Sequence, residues 1–339
     1  MRQFVLLLGL YLLAMPLWAD SGQQRAEAAG RGLVGTPAPP LVLTTIDGKT
    51  IDLGQLYGKK AVYLKFWATW CVPCREQMPH FEKTYEQAGP ELAVIAIDVG
   101  FEDSVAQVRK YRREVGLKMP IVFDHDGRLG EAFRLRVTPQ HVVIGRDGRI
   151  AYVGHQTNAA LEAALAAARR APVAPAGVVA TAPASGGAGV DRLPALAIST
   201  LDGQVFRTGA PAPAQPTVLV FLSPWCESYL ADSRPEYAEA CRRMREQVTA
   251  LAATPGVHWL GIASGLWTDR DDLEGWRRKH RIPVPLALDA DGALFRRFGV
   301  MHVPTVLLAD GQGRIVRRLE GRADLAAALR SLPGAGTRR

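Results

Sequence analysis

One pattern occurs twice in this chain, and that duplication restricts the folds open to it more than composition does. The stretch 41–53, LVLTTIDGKTIDL, is echoed at 196–208 by LAISTLDGQVFRT, and Trp70-Cys71 is echoed by Trp225-Cys226, both at an offset of 155. Further on, Pro120, Asp124, Asp126-Gly127, Phe133, Pro139 and Gly148-Arg149-Ile150 return as Pro285, Asp289, Asp291-Gly292, Phe298, Pro304 and Gly313-Arg314-Ile315, at an offset of 165. The second copy therefore carries ten extra residues between its cysteine and the strand at Pro285. Ordered self-similarity of this length, broken by a single insertion, is the mark of a duplicated folding unit. The 339 residues suffice for two domains of ordinary size.

Within the first copy, apolar runs and helical periodicity alternate. A hairpin turns at Asp47-Gly48, a buried strand covers 61–66, and a helix at 75–87 is interrupted by Pro79. Strand 92–99, helix 104–115, strand 120–123 and a short helix at 129–135 follow. A hairpin of 141–144 with 149–153 and a closing helix at 159–170 complete the unit. Strands alternating with helices up to a final hairpin give an α/β fold, a mixed central sheet flanked by helices. Residues 171–191 are rich in Ala, Pro and Gly and read as a linker, and 20–36 read as a flexible lead-in.

Chemistry concentrates in 66–74, FWATWCVPC. Cys71 and Cys74 stand three apart at a strand-to-helix turn, where free N–H groups and the positive end of the helix dipole favour a thiolate. First thiols of such pairs have pKa values of about 3.5 to 7.5, which makes Cys71 a nucleophile and a good leaving group. A structural zinc site requires four ligands, and Cys226 and Cys241, the remaining cysteines, form no second C-x-x-C. A purely structural bridge closing so short a loop constrains the unfolded chain little.

The first 19 residues, a charged start and then an apolar run from Phe4 to Trp18, read as an export signal or an uncleaved N-terminal anchor. No cysteine follows the run to carry a lipid. The net charge of +8 is spread over short arginine runs such as Arg112-Arg113 and Arg277-Arg278-Lys279, which read as solvated surface rather than a nucleic-acid footprint.

FWATWCVPC, IDGKTIDL, VIAIDVGFED, PIVFDHDG and VTPQHVVI together resemble the thioredoxin superfamily, and within it the exported TlpA/ResA-like thiol-disulfide oxidoreductases. The resemblance covers 35–168 closely and 193–332 more weakly. It implies two tandem thioredoxin-fold domains, with Cys71 attacking and Cys74 resolving. It also implies a cis bond between Thr138 and Pro139, in a loop that offers backbone to an extended peptide. Proteins carrying cysteines or disulfides are the implied substrates, a membrane electron donor of the thiol-reducing type the implied partner, and neither cofactor nor metal is needed. Trp70 either shields the thiols or covers the sheet edge. Glu102 lies near the family's acidic position and is either a proton shuttle for Cys74 or a solvated loop carboxylate.

Several departures stand out. Lys65 occupies a strand position where thioredoxins carry a buried acid, and it either tunes the dithiol from a desolvated site or snorkels to water. In the second copy Tyr229 replaces the resolving cysteine, Val220 replaces Lys65, and Val303 precedes the matching Pro304. Cys226 and Cys241 could bond only if Pro235 breaks the helix between them, since 15 helical residues span about 22 Å. Otherwise Cys226 is free and Cys241 buried. Ser223-Pro224-Trp225-Cys226 also has the S-x-x-C of a peroxidatic site without its upstream proline. The expectation is thus a periplasmic protein-disulfide reductase whose second, degenerate copy docks partners. Its competitors are a dithiol oxidase and a client-binding or metal-handling module.

Overall fold

The computed structural model describes residues 17–173, 190–209 and 215–332. The elements of the first half are α1 (Leu17–Gly30), β1 (Val42–Thr44), β2 (Thr50–Asp52), α2 (Leu53–Leu56), β3 (Ala61–Trp67), α3 (Val72–Glu76), α4 (Met78–Glu86), β4 (Leu92–Asp98), α5 (Val105–Val115), β5 (Ile121–Phe123), α6 (Arg128–Ala132), β6 (Gln140–Ile144), β7 (Ile150–Gly154) and α7 (Ala159–Arg170). The second half contains β8 (Leu196–Ser199), β9 (Val205–Thr208), β10 (Thr217–Leu222), α8 (Cys226–Tyr229), α9 (Pro235–Leu251), β11 (His258–Ser264), α10 (Arg270–His280), β12 (Leu286–Asp289), α11 (Ala293–Arg297), β13 (Thr305–Ala309), β14 (Ile315–Glu320) and α12 (Leu325–Arg330).

Two five-stranded sheets result, ordered β5-β4-β3-β6-β7 and β12-β11-β10-β13-β14. Each has two parallel and two antiparallel pairings, and the central strand of each runs parallel to one neighbour and antiparallel to the other. These are the two mixed α/β sheets that the repeat implies. All seven residues of β3 are buried, as the unbroken apolar run of a central strand requires. The ten-residue insertion falls around α9, which has 17 residues where α4 has nine. Pro79 sits in the first turn of α4, where its missing N–H costs nothing, so the break before it falls at Gln77.

The stretch 20–36 differs from expectation. Much of it forms α1, which packs on β7 with Ala26 and Ala29 buried. Gln23 Oε1 accepts the backbone N–H groups of His155 and Gln156 at 2.9 and 3.1 Å. Small residues allow so close an approach that a Cβ at Gly30 would come within 2.8 Å of Val153 Cβ. A helix docked through alanine and glycine shows no bulky apolar stripe in its sequence. The apolar run at 1–16 lies outside the described residues, as does 174–189, most of the linker. Among the described residues no helix is long and apolar enough to cross a membrane.

The buried apolar side chains of the first sheet continue without interruption into the second half, through Phe101, Phe295 and Cys226. A smaller cluster lies wholly within the second half. The two sheets therefore share a core across an interface, and the cysteine-bearing turns lie in it.

Candidate active site

β3 delivers the chain to the turn at 68–71, and α3 starts immediately after Cys71. Cys71 is the N-cap of α3, and its Sγ accepts the Cys74 N–H at 3.2 Å. That donor favours a thiolate once the pair is reduced. Here Cys71 and Cys74 are disulfide-bonded, with Cα atoms 5.2 Å apart, and both are fully buried. Thr138-Pro139 is cis, and Thr138 O lies 3.3 Å from Cys71 Sγ.

Trp70 packs at the interface between the two halves. It is almost fully buried, its Nε1 donates to Phe101 O at 2.8 Å, and its ring stacks on Trp225 of the second half. Lys65 is fully buried and does not snorkel. Its Nζ donates to Cys74 O at 3.3 Å and lies 5.4 Å from the centre of the Phe81 ring. Burial without a carboxylate partner drives its pKa down to about 7. Beside it in register on β6, His141 is buried between Tyr63 Oη and Gln77 Oε1, each 2.8 Å away, and burial keeps the imidazole neutral.

Glu102 is buried too, so the solvated-loop reading does not hold. Its carboxylate is directed at the second copy's proline loop: Oε1 accepts the Val303 N–H, and Oε2 lies 3.5 Å from His302 Nδ1. Burial raises its pKa. Those partners lie across the interface, in the second half.

In the second half Cys226 and Cys241 are bonded, with Cα atoms 6.3 Å apart. α8 stops at Tyr229 and α9 starts at Pro235, so the chain folds back far enough to bring the two sulfurs together. Cys241 Sγ lies 3.7 Å from Val303 O, beside cis Pro304, much as Cys71 lies beside Thr138 O. Tyr229, in the position of the resolving cysteine, accepts the Val72 N–H on its hydroxyl at 3.0 Å. Among the described residues no His, Cys, Asp and Glu cluster is arranged to hold a metal.

Three important side chains escaped the sequence reading. Arg234 reaches from the insertion to Asp103 Oδ1 at 2.9 Å, Thr69 Oγ1 at 2.6 Å and the Glu102 carbonyl, clasping the loops on either side of the Cys71 turn. Having no counterpart in the first copy, it left no signal. Trp267 enters the first copy's proline loop, and its position is Glu102 plus the offset of 165, a correspondence that the repeat contains. His155 is buried with Nδ1 2.7 Å from Pro139 O, so Nδ1 carries the proton.

The first half is similar in sequence to known proteins. Residues 34–153 match the AhpC/TSA family model, a match that ends before Cys226. Over 134 residues, 38% of this chain and 75% of the relative, the sequence is 33% identical to the thiol-disulfide oxidoreductase ResA of Bacillus anthracis. It is 31% identical over 153 residues to the ResA of Geobacillus thermodenitrificans, covering 44% of this chain and 83% of that one. Among solved structures, a putative thiol:disulfide interchange protein DsbE from Chlorobium tepidum is similar at 26% identity, over 40% of this chain and 97% of that chain, with a TM-score of 0.37.

Proposed function

The chain belongs to the ResA-type thiol-disulfide oxidoreductases of the thioredoxin superfamily, and from that premise we propose that it is an exported protein-disulfide reductase of the periplasm. Thiol-disulfide exchange is the activity of this family, and the Cys71–Cys74 bond beside the Thr138 carbonyl is the observation that carries the reading. In the reduced protein the Cys71 thiolate attacks one sulfur of a client disulfide, forming a mixed disulfide and releasing the other client sulfur as thiolate. The Cys74 thiolate then attacks Cys71 Sγ, the second client thiolate leaves, and the Cys71–Cys74 disulfide remains. Two electrons pass to the client, and a membrane electron donor of the thiol-reducing type returns them.

Export is supported by the charged start and apolar run of residues 1–18, which serve as a cleaved signal or as a tether to the inner membrane. Two domains, 35–168 and 193–332, joined by 171–191, carry the catalytic pair and the docking surface respectively. Apocytochrome haem-binding cysteines and the cysteines of metal-delivery proteins are suitable clients. Trapping a mixed disulfide in cells with Cys74→Ser tests the reading and names the client, and absence of any Cys71-dependent adduct contradicts it.

The buried Lys65 favours the alternative direction, because an ammonium near the pair stabilises the reduced thiolate and makes the disulfide more oxidising. The reduction potential separates the two: about −270 mV marks a thioredoxin-like reductant and about −120 mV a strong oxidant.

A further inference from the structure

The interface is built reciprocally. Glu102 and Trp267 occupy equivalent loop positions after β4 and β11, and each has a left-handed backbone, with φ of 56° in both. The Glu102 N–H donates to Met301 O at 2.9 Å, and the Trp267 N–H donates to Arg136 O at 2.8 Å. Each acceptor lies three residues before a cis proline, Pro304 or Pro139. Non-glycine residues adopt this backbone only where surrounding contacts hold them there. The two insertions differ in what they deliver. The first half offers a carboxylate to the second, and the second half offers an indole to the first.

That indole lies beside the reactive pair. Trp267 Nε1 donates to Thr138 Oγ1 at 3.3 Å, on the same residue whose carbonyl is 3.3 Å from Cys71 Sγ. The ring stands perpendicular to His155, centroids 5.4 Å apart at 84°. Burial lowers the His155 pKa, so this wall is a neutral ring. The third wall is the α1 backbone at Gly22, where a Cβ would come within 3.0 Å of the indole Cη2. Only a residue without a side chain leaves room for the ring there. The pocket thus has one hydroxyl acceptor, one ring wall and one backbone wall, and the Arg136 carbonyl, which now accepts the Trp267 N–H, accepts the amide of whatever chain carries the aromatic group.

Cys71 and Cys74 are fully buried, so their cover must move before a client sulfur reaches them, and the second half packs on the same turn through Trp225 and Tyr229. From that half Trp267 is bonded to the Thr138-Pro139 loop, through Thr138 Oγ1. Resting on the reductase reading above, we propose that Thr138, His155 and Gly22 form an aromatic subsite of the client groove, and that Trp267 holds it as an internal placeholder. The clients are extended peptides with an aromatic side chain next to the reacting cysteine. Tryptophan fits best, because the indole N–H can take over the bond to Thr138 Oγ1 and the client amide the bond to Arg136 O.

The test measures binding to the oxidised, full-length protein, so it does not depend on turnover. Two cysteine-free extended peptides, identical except for a central Trp or Ala, are titrated against the unaltered chain and against Trp267→Ala. The Trp peptide is expected to bind Trp267→Ala about tenfold more tightly than the Ala peptide does, and about tenfold more tightly than it binds the unaltered chain, where Trp267 competes. Trp267→Phe, which keeps a ring but lacks the donor, should give an intermediate affinity and serves if the alanine variant misfolds. Equal affinity for both peptides in the vacated pocket overturns the proposal. Failure of the reductase reading appears separately, as loss of Cys71-dependent exchange with intact Trp-peptide binding.

Discussion

Trp70 and Trp225 stack across the interface with ring centroids 5.2 Å apart and planes inclined by 26°. Each immediately precedes the first cysteine of its copy, so the duplication has brought two equivalent turns face to face. Tyr229 closes the edge of the pair, 6.1 Å from the Trp70 ring and 6.0 Å from the Trp225 ring, both in edge-on contact. Trp70 is therefore part of an aromatic seam shared by both halves.

Opening that seam should expose the catalytic disulfide. Trp225→Ala removes the stacking partner and a large apolar contact, and the rate at which dithiothreitol reduces Cys71–Cys74 should rise about tenfold. Quenched alkylation followed by peptide mass mapping checks this, with the Cys226–Cys241 pair read in the same digest.

Arg234 is the polar counterpart of the seam. It forms a buried ion pair with Asp103, whose carboxylate also accepts from the Thr69 N–H and hydroxyl at 2.7 and 2.6 Å. Asp98, buried nearby, has its pKa raised by burial and then by the Asp103 charge. Arg234→Leu strands this acid cluster without its cation, a loss of roughly 3–5 kcal/mol for a buried pair deprived of one partner. Urea unfolding should report it as a lower midpoint, or as a new early transition in which the halves separate.

The Glu102–His302 contact gives the interface a pH dependence. Burial raises the Glu102 pKa, and its hydrogen bond to Glu102 raises that of His302. Both groups bind protons more tightly when docked than when exposed. Their contribution to docking is therefore complete below their ordinary values of 4.5 and 6.5, and is lost as pH rises through the elevated ones. Hydrogen exchange at 101–103 and 301–303, corrected for intrinsic rates, should show weaker protection at pH 8 than at pH 5. Glu102→Gln should flatten the difference.

Lys65 has the opposite sign. With its pKa pushed down to about 7, the folded protein holds fewer protons than the unfolded chain between about pH 7 and 10, so stability rises with pH across that window and carries the full burial penalty below it. Lys65→Met should be stabilising by on the order of a few kcal/mol at pH 6 and by much less at pH 10. Thermal melts at both pH values check this. The variant should also have a more negative Cys71–Cys74 potential below pH 7, because a charge favouring the thiolate has been removed.

The repeat and the C-x-x-C spacing made the two sheets, the dithiol turn and the paired proline loops legible, because strand burial and turn chemistry are local. Contacts between the halves were less so. Lys65 had two readings because strand alternation gives its face but not what covers that face, which is Phe81 of α4. The reading of Glu102 rests on the family's acidic position, and its partners His302 and Val303 lie two hundred residues further along. α1 carries little signal in the sequence because its contacts are made by small residues, Gln23 and Arg25 rather than by an apolar stripe. The offset of 165 pairs Trp267 with Glu102, so the repeat itself marks the position of the indole.

The most direct test of the central claim is reduction of insulin disulfides by the reduced full-length protein and by its Cys71→Ser and Cys74→Ser variants. In the reductase reading Cys71→Ser abolishes exchange, and Cys74→Ser stops at a mixed disulfide through Cys71 without further turnover. Undiminished insulin reduction by Cys71→Ser would contradict it.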